Sequence, residues 1–434
     1  MQRPFSIEKQ DTFRQVSILG GLCFFLSALE FMIPKPLPFM RLGLANLPLL
    51  LSLDILPLSS FILLVVLKIM GQALISGTLF SYIFLFSLGG TGASAIIMYL
   101  LRRIFGREKI SFIGISTAGA LAFNGTQLVL AYFFIFGKST KYAAAPILAL
   151  GTVTGILLGM AAEYFIARSD WYALFKVHMH AAPGPRRLPR QNDTAETNPA
   201  NINPADVTVN RPLERFRKKR ERLCLGTFGS AELALTGLCM MPALLLNPDV
   251  KTRVIQFLFF SFLAWLSGKR NNPLITITVM LGIVLFNLLV PFGQILFTIG
   301  PVKITSGALQ GGIRRAVTLE GLFMLSRCFV RKDLAFPGFF GNLIGDSFRV
   351  FSHLDEEKFL FNRKNWVEQL DRILVMLPAG SGSFKGPGHG FPEAEKEDKR
   401  YGRAKTGQFT LNFLIPKLIL FIAVVLAWLP LAVL

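Results

Sequence analysis

The chain has 434 residues, of which 52% are hydrophobic and only 17% charged, and 46 basic against 26 acidic side chains give a formal net charge of +20. Soluble domains carry about 25% charged residues, so composition excludes an ordinary soluble fold. The basic excess collects in segments that the positive-inside rule places in the cytoplasm, so topology explains it and no nucleic-acid partner is expected.

Residues from about 16 to 168 are nearly all apolar. A run of roughly 18 apolar residues or more can cross the hydrocarbon core as a helix. Such runs are predicted near Val16–Ile33, Pro57–Ile75, Leu79–Leu101, Ile110–Phe136 and Ala143–Ala167. A shorter element, Leu42–Leu53, is interrupted by Pro48 and bounded by Pro57, and is expected to be partly inserted. The first run begins like a secretory signal but has no small-residue cleavage site after it, so it reads as a retained span. With Arg3, Lys9 and Arg14 holding the N-terminus inside, Arg102, Arg103, Arg107 and Lys109 also fall inside.

Between the first two elements, PKPLPFMRLGLAN makes a stiff outer loop in which Pro34, Lys35 and Pro36 are candidate gating residues and Arg41 and Asn46 candidate solute contacts. In the third element Lys68, Gln72 and Ser76 are spaced by four and share one helical face. A lysine at the centre of a membrane helix costs roughly 2.5 to 3.5 kcal/mol on insertion scales. It therefore needs a watered cavity or a partner, and Glu163 is a conceivable ion-pair partner. Positive charge there and at the loop favours an anionic or amphiphilic solute. In the fifth element Asn124 and Gln127 are three apart, able either to bind a ligand or to bond a neighbouring helix. The sixth carries Gly151, Gly155 and Gly159 at four-residue intervals, continued by Glu163, a pattern for close helix contact with a partner in either half.

Residues 177–222 are polar and Pro-rich, ending in the basic run ERFRKKRER, and are expected to form a flexible cytoplasmic linker whose last part lies on anionic membrane lipids. Beyond it, spans are predicted near Leu223–Leu246, Val254–Leu266, Leu274–Val290, Ser306–Val330 and Leu411–Leu434. Arg314, Arg315 and Glu320 sit in or beside the fourth of these, where buried charges need partners and more plausibly fix packing or a coupling surface than bind solute. Residues 331–410 are too charged to cross. Amphipathic helices are predicted there near Phe339–Leu354, carrying Asp346 and Arg349, and near Trp366–Leu377.

The segment GKST at Gly137–Thr140 lacks the first glycine of a nucleotide-binding loop, Tyr132 standing in that place, and follows an apolar helix instead of a strand. Paired aspartates for magnesium and a diphosphate are missing as well, Asp355–Glu357 having the wrong spacing. His178 and His180 have no third ligand in view. Cys23, Cys224, Cys239 and Cys328 show neither metal nor redox spacing and read as packing residues. No catalytic residue, metal or cofactor is expected in this chain, which is not read as an enzyme.

RLGLANLPLLLSL at Arg41–Leu53, ISGTLFSYIFLFSLGG at Ile75–Gly90 and ISFIGISTAGALAFNGTQLVLAYFFIFG at Ile110–Gly137 resemble the Gx transporter family, which also carries the label heptaprenyl diphosphate synthase component I. That family is similar to the S components of energy-coupling factor transporters, six-helix membrane proteins that capture micronutrients. The resemblance implies a solute-binding role for Lys68, Gln72, Ser76, Asn124 and Gln127. NPDVKTRVIQFLFFSFLAWLSGKRNNPL at Asn247–Leu274 and LFTIGPVKITSGALQGGIRRAVTLEGLFMLSR at Leu296–Arg327 look like the T component, similar to the cobalt-transport permease family, whose cytoplasmic helices dock onto ATPases. GRA at Gly402–Ala404 echoes that family's Ala-Arg-Gly motif only poorly.

The expected architecture is an all-α polytopic membrane protein: an S-component-like bundle of about six helices over 1–176, the linker 177–222, and a T-component-like module of about five over 223–434 with a coupling region at 331–410. The expected function is that of a membrane subunit of an importer, placed in the cytoplasmic membrane with its N-terminus inside. It would bind a small solute outside and work with ATP-binding cassette ATPase subunits, which consume the ATP. The alternative is a non-catalytic accessory component of isoprenoid or quinone metabolism, as the family label suggests.

Overall fold

The computed structural model describes residues 4–32, 43–173, 220, 227–269, 272–299, 302–330, 338–356, 368–371, 374 and 409–432. Helix α1 spans Pro4–Met32; a 3-10 turn, Leu44–Asn46, then leads into the short α2, Leu47–Ser52. The turn opens at Gly43, whose φ of 88° is the left-handed region that favours glycine, and Pro48 sits in the first turn of α2, where its missing N–H costs nothing. All six residues of α2 are buried. The second predicted element is thus one short helical piece enclosed by protein, with no full crossing of its own.

Helix α3, Leu58–Ser76, stops at Gly77, which takes the left-handed cap conformation at φ 63°. Helix α4, Tyr82–Lys109, follows, bending at Gly106, then α5, Phe112–Ala131, whose N-cap Ser111 accepts from the Gly114 N–H at 3.1 Å. A π-turn at Tyr132–Phe136 and a 3-10 turn at Gly137–Ser139 break the apolar run before α6, Thr140–Arg168. In the second half come α7 Ser230–Leu246, α8 Val250–Leu266, α9 Pro273–Leu288, the antiparallel hairpin β1 Ile295–Ile299 with β2 Val302–Thr305, α10 Ser306–Phe329, α11 Gly338–Glu356 and α12 Phe409–Ala432. The hairpin lies where the sequence pattern suggested only a connection between two spans. Its β-branched and aromatic residues, Ile295, Phe297, Thr298, Ile299, Val302 and Ile304, supply strand propensity in a run too short for a helix.

Among the described residues, four stretches are long and apolar enough to cross a membrane: Thr12–Glu30, Leu58–Ser76, Tyr82–Gly106, and Phe112–Arg168, the last containing both α5 and α6. Side-chain placement on α4 agrees with a lipid environment. Its outward stripe is Leu85, Leu88, Ile96, Leu100 and Ile104, the last 69% exposed, while Ser87, Thr91 and Ser94 are buried. Hydrocarbon is the solvent that makes this pattern favourable, because apolar groups lose nothing by facing it and hydroxyls gain partners inside.

The glycine row of α6 meets α5. A β-carbon at Gly155 would come 2.9 Å from Thr117 Cα, and one at Gly159 would come 2.9 Å from the Ile113 nitrogen. The close contact is therefore within the first half. Glu163 accepts from the Phe112 N–H at 3.1 Å, so the sixth helix carboxylate anchors the start of α5 and is not the partner of Lys68. Asp54, in the turn before α3, takes a two-pronged pair from Arg102 of α4 at 2.7 and 2.6 Å, both side chains 9% exposed. Arg102→Ala is expected to cost about 3 kcal/mol by leaving that carboxylate without its cation, and Arg102→Ala with Asp54→Ala is expected to recover part of the loss. Thermal unfolding of both variants measures it.

Among the described residues three apolar clusters form, and all three draw on both halves, the second through Phe80. The first joins α1, α2 and α3 with Leu343, Ile344, Phe348 and Leu354 of α11. Helices α1 and α11 run side by side in the same direction: Phe13 packs on Phe339 and Phe24 on Phe348, at ring separations of 5.1 and 5.0 Å. Gly20 and Gly21 lie against Ser347 and Val350. A fully buried Phe such as Phe24 contributes roughly 2 to 3 kcal/mol. The amphipathic helix expected to offer a free coupling surface thus spends its apolar face on α1, leaving Asn342, Arg349 and His353 outward. On its flank Asp346 pairs with Arg349 at 3.0 Å, and burial pushes its carboxyl above the ordinary value while Arg349 opposes the shift.

The second cluster joins α7, α8, α10 and α12; the third joins α4, α6 and the turn after α5 with α9 and α10. Ser326 of α10 donates to the Gly77 carbonyl at 2.8 Å and accepts from the Phe80 N–H at 3.0 Å. Asn287 of α9 donates to the Ile135 carbonyl at 3.0 Å and accepts from Arg315 at 2.6 Å. Arg315 also fills the space over Gly137, whose φ is 56°. At the far end of α6, Asp371 accepts from the Ser169 hydroxyl and from the Trp171 N–H at 3.0 Å.

Candidate functional site

The centre of the first half is built around Lys68. Eleven residues into α3 and 2% exposed, its ammonium donates to Asn46 Oδ1 at 2.7 Å and Thr91 Oγ1 at 2.9 Å. Asn46 is delivered by the 3-10 turn after Gly43, and Thr91 by the polar inner face of α4. One turn along α3, Gln72 Oε1 accepts from the Ser87 hydroxyl at 3.2 Å. Ser76 donates to the Gln72 carbonyl at 2.7 Å and lies 2.7 Å from the Thr78 hydroxyl. Lys68, Gln72 and Ser76 thus lie along α3 at the expected spacing, but Lys68 and Gln72 are turned into the α3–α4 contact and Ser76 toward its own helix and the turn after it.

The void lies beside Asn46. A cavity of about 20 Å³ is lined by Gly43, Asn46, Ser94, Ser116, Asn124 and Thr154, with apolar walls from Met98, Phe123 and Leu158. That is room for about one water. The hydroxyls of Ser94 and Ser116 are buried and find no hydrogen-bond partner among the described residues. Asn124 donates to the Ala120 carbonyl at 3.0 Å and sits in the notch over Gly151, while Thr154 donates to the Gly151 carbonyl at 3.1 Å. Gln127, 1% exposed, lies beyond the lining.

Lys68 is linked to this cavity through Asn46. Because the ammonium takes Oδ1, the Asn46 amide N–H₂ group is the remaining polar edge, and it points back toward Gly43 in the cavity wall. No charged side chain lines the void among the described residues. The arrangement can offer hydrogen bonds to a small polar group and gives it no direct ion pair.

Of the residues singled out by sequence, Asn46 and Asn124 reach the cavity, Lys68 is joined to it, and Gln72, Ser76 and Gln127 are not among its lining. Pro34, Lys35, Pro36 and Arg41 lie outside the described residues, as do most of 177–222 and of 357–408. Ser94, Ser116, Thr154 and Thr91 were missed. A signal existed: Ser87, Thr91 and Ser94 fall at i, i+4 and i+7 in an apolar helix, the spacing of one inward face. Arg314 is exposed and Arg315 serves the α9 contact.

The second half has its own polar corner, also unforeseen. Asn247, fully buried, donates to Gln256 at 2.9 Å, and Gln256 in turn donates to the carbonyls of Ala243 at 3.1 Å and Ala427 at 2.9 Å. Arg253 caps the same corner through the Asn247 and Leu245 carbonyls and Thr318. Every polar group named is satisfied, as a rigid helix junction requires.

Residues 19–165 match the family described as heptaprenyl diphosphate synthase component I. Residues 233–332 match a domain of unknown function (DUF8519). No curated protein and no solved structure matches the chain. The first match runs from within α1 to near the end of α6 and supports the S-component-like part; the second carries no activity with it.

Proposed function

We propose that the chain is the membrane subunit of an importer in which the first half binds a small solute and the second, T-component-like half transmits work from separate ATPases. The observation that carries it is the polar void of the first half, where the two buried hydroxyls of Ser94 and Ser116, the Asn124 amide and the Lys68-bound Asn46 converge. Unspent hydroxyls deep in a membrane bundle are costly unless something bonds them. The void admits about one water, so a solute enters by parting α5 and α6 from the Asn46 turn. The exposed face of α11, with Asn342, Arg349 and His353, is the surface available for an ATPase.

Mass spectrometry of small molecules retained by the purified full-length protein tests the binding half. A defined compound is expected from the wild type and its loss from Asn124→Leu, which keeps volume over Gly151 but removes an amide from the wall. Retention undiminished in Asn124→Leu would place the solute elsewhere. A native pulldown that recovers no ATPase, together with ATP-independent uptake in vesicles, would remove the coupling half.

The match over residues 19–165 favours one other reading, an accessory, non-catalytic component of a prenyl diphosphate synthase system. Co-purification with a soluble prenyl-transferring partner, and no retained water-soluble micronutrient, would select it.

A further inference from the structure

Helix α10 turns one stripe toward the first half. Ala316 and Leu319 join the cluster containing Tyr82 and Phe86, and Ser326 bonds the turn between α3 and α4. Glu320 lies between these contacts and is 4% exposed. Among the described residues its carboxyl makes no hydrogen bond and no ion pair. Arg327, two turns along its own helix, acts on it through space, and Glu320 in turn acts on Tyr82 of α4.

Other charged groups on the elements packed against α10 are engaged elsewhere or face away. Arg253 of α8 is held by Asn247, Leu245 and Thr318, and Lys251 at the start of that helix is exposed. Glu232 of α7 lies 3.8 Å from Lys417, and α9 carries no ionisable side chain. On α4, Arg102 is paired with Asp54 near the opposite end. Tyr132, in the turn after α5, is exposed, and Lys303 of β2 is exposed. On α10 itself Arg315 is bonded to Asn287 and Arg314 is exposed.

A carboxylate kept from water without a hydrogen-bonded partner is disfavoured by several kcal/mol, whereas the neutral acid is far cheaper to bury. We propose that Glu320 is a proton-binding site at the seam between the two halves, holding its proton while α10 rests on α4 and releasing it to water when the seam opens. The step is simple acid dissociation, the carboxylic acid giving carboxylate and a proton. By linkage, acid conditions favour the closed seam and alkaline conditions the open one. Movement of the halves and movement of a proton then become one event, whatever solute the first half takes.

Infrared spectroscopy on the full-length protein in lipid vesicles tests the site directly. At neutral pH a protonated-carboxyl stretch that shifts in D₂O is expected in the wild type and in Glu232→Gln and is expected to be missing from Glu320→Gln. Identical carboxyl spectra in wild type and Glu320→Gln would overturn the proposal. Hydrogen exchange of the seam turns, residues 77–81 and 132–137, tests the linkage. After correction for the chemical rate, protection is expected to fall at least about tenfold from mildly acid to mildly alkaline pH in the wild type and to stay level in Glu320→Gln. The same pH profile in both proteins would overturn the coupling of seam and proton.

Discussion

Gly159→Val is expected to unfold the amino-terminal bundle or leave it too unstable to purify. At this position the obstacle is backbone: the new β-carbon meets Ile113 Cα and nitrogen, which belong to the first turn of α5 and cannot rotate away as a side chain could. Overpacking of this kind costs about 3 kcal/mol where neighbours can yield and more where they cannot. Glu163, one turn further on, adds to the damage because its bond to the Phe112 N–H depends on the same close approach. Gly125→Ala is the control. It lies on the partner helix α5 with open space around its β-carbon position, and alanine is the better helix former by about 1 kcal/mol. Thermal unfolding followed by size-exclusion chromatography in mild detergent should show Gly159→Val collapsed and Gly125→Ala at or above the wild type. A well-folded Gly159→Val would mean that α5 and α6 do not pack as described.

Lys68→Met is expected to lower stability by about 3 kcal/mol while preserving volume, because Asn46 Oδ1 and Thr91 Oγ1 lose a charged donor in a buried setting. The effect should reach the cavity as well. Asn46 freed from the ammonium can flip its amide, so affinity for a bound solute is expected to fall about tenfold or more, each factor of ten being about 1.4 kcal/mol. Adding Thr91→Val should return part of the stability and none of the affinity, since it removes an unsatisfied hydroxyl without restoring Asn46. Unfolding midpoints with and without the retained compound separate the two effects. Equal stability of Lys68→Met and wild type would show that the Lys68 contacts contribute nothing net.

Helix positions in the first half were legible because the apolar runs are long and the breakers strong: α3 ends at Ser76, one residue past its predicted limit, and α6 begins three residues before its own. The glycine row announced a helix contact, but periodicity alone does not say against which helix, and α5 emerged only from the structure. Lys68 stood out since a buried ammonium is rare. The direction of its head did not, because Asn46 and Thr91 reach it from 22 and 23 residues away along the chain. The cavity hydroxyls were hidden for a related reason, serine and threonine being ordinary helix-packing residues in membranes until their partners are known. In the second half the hairpin was lost in a run of apolar letters, where strand and helix look alike over so short a stretch.

The pairing of α1 with α11 has a consequence for how the protein comes into being. A ribosome makes the first of these helices early and the second only after most of the chain has emerged, so the groove at Gly21, which Val350 and Ser347 fill, stays uncovered through nearly the whole of synthesis. Contacts so distant in sequence form late and slowly. During that interval lipid, an insertion chaperone or a neighbouring nascent chain must occupy the groove.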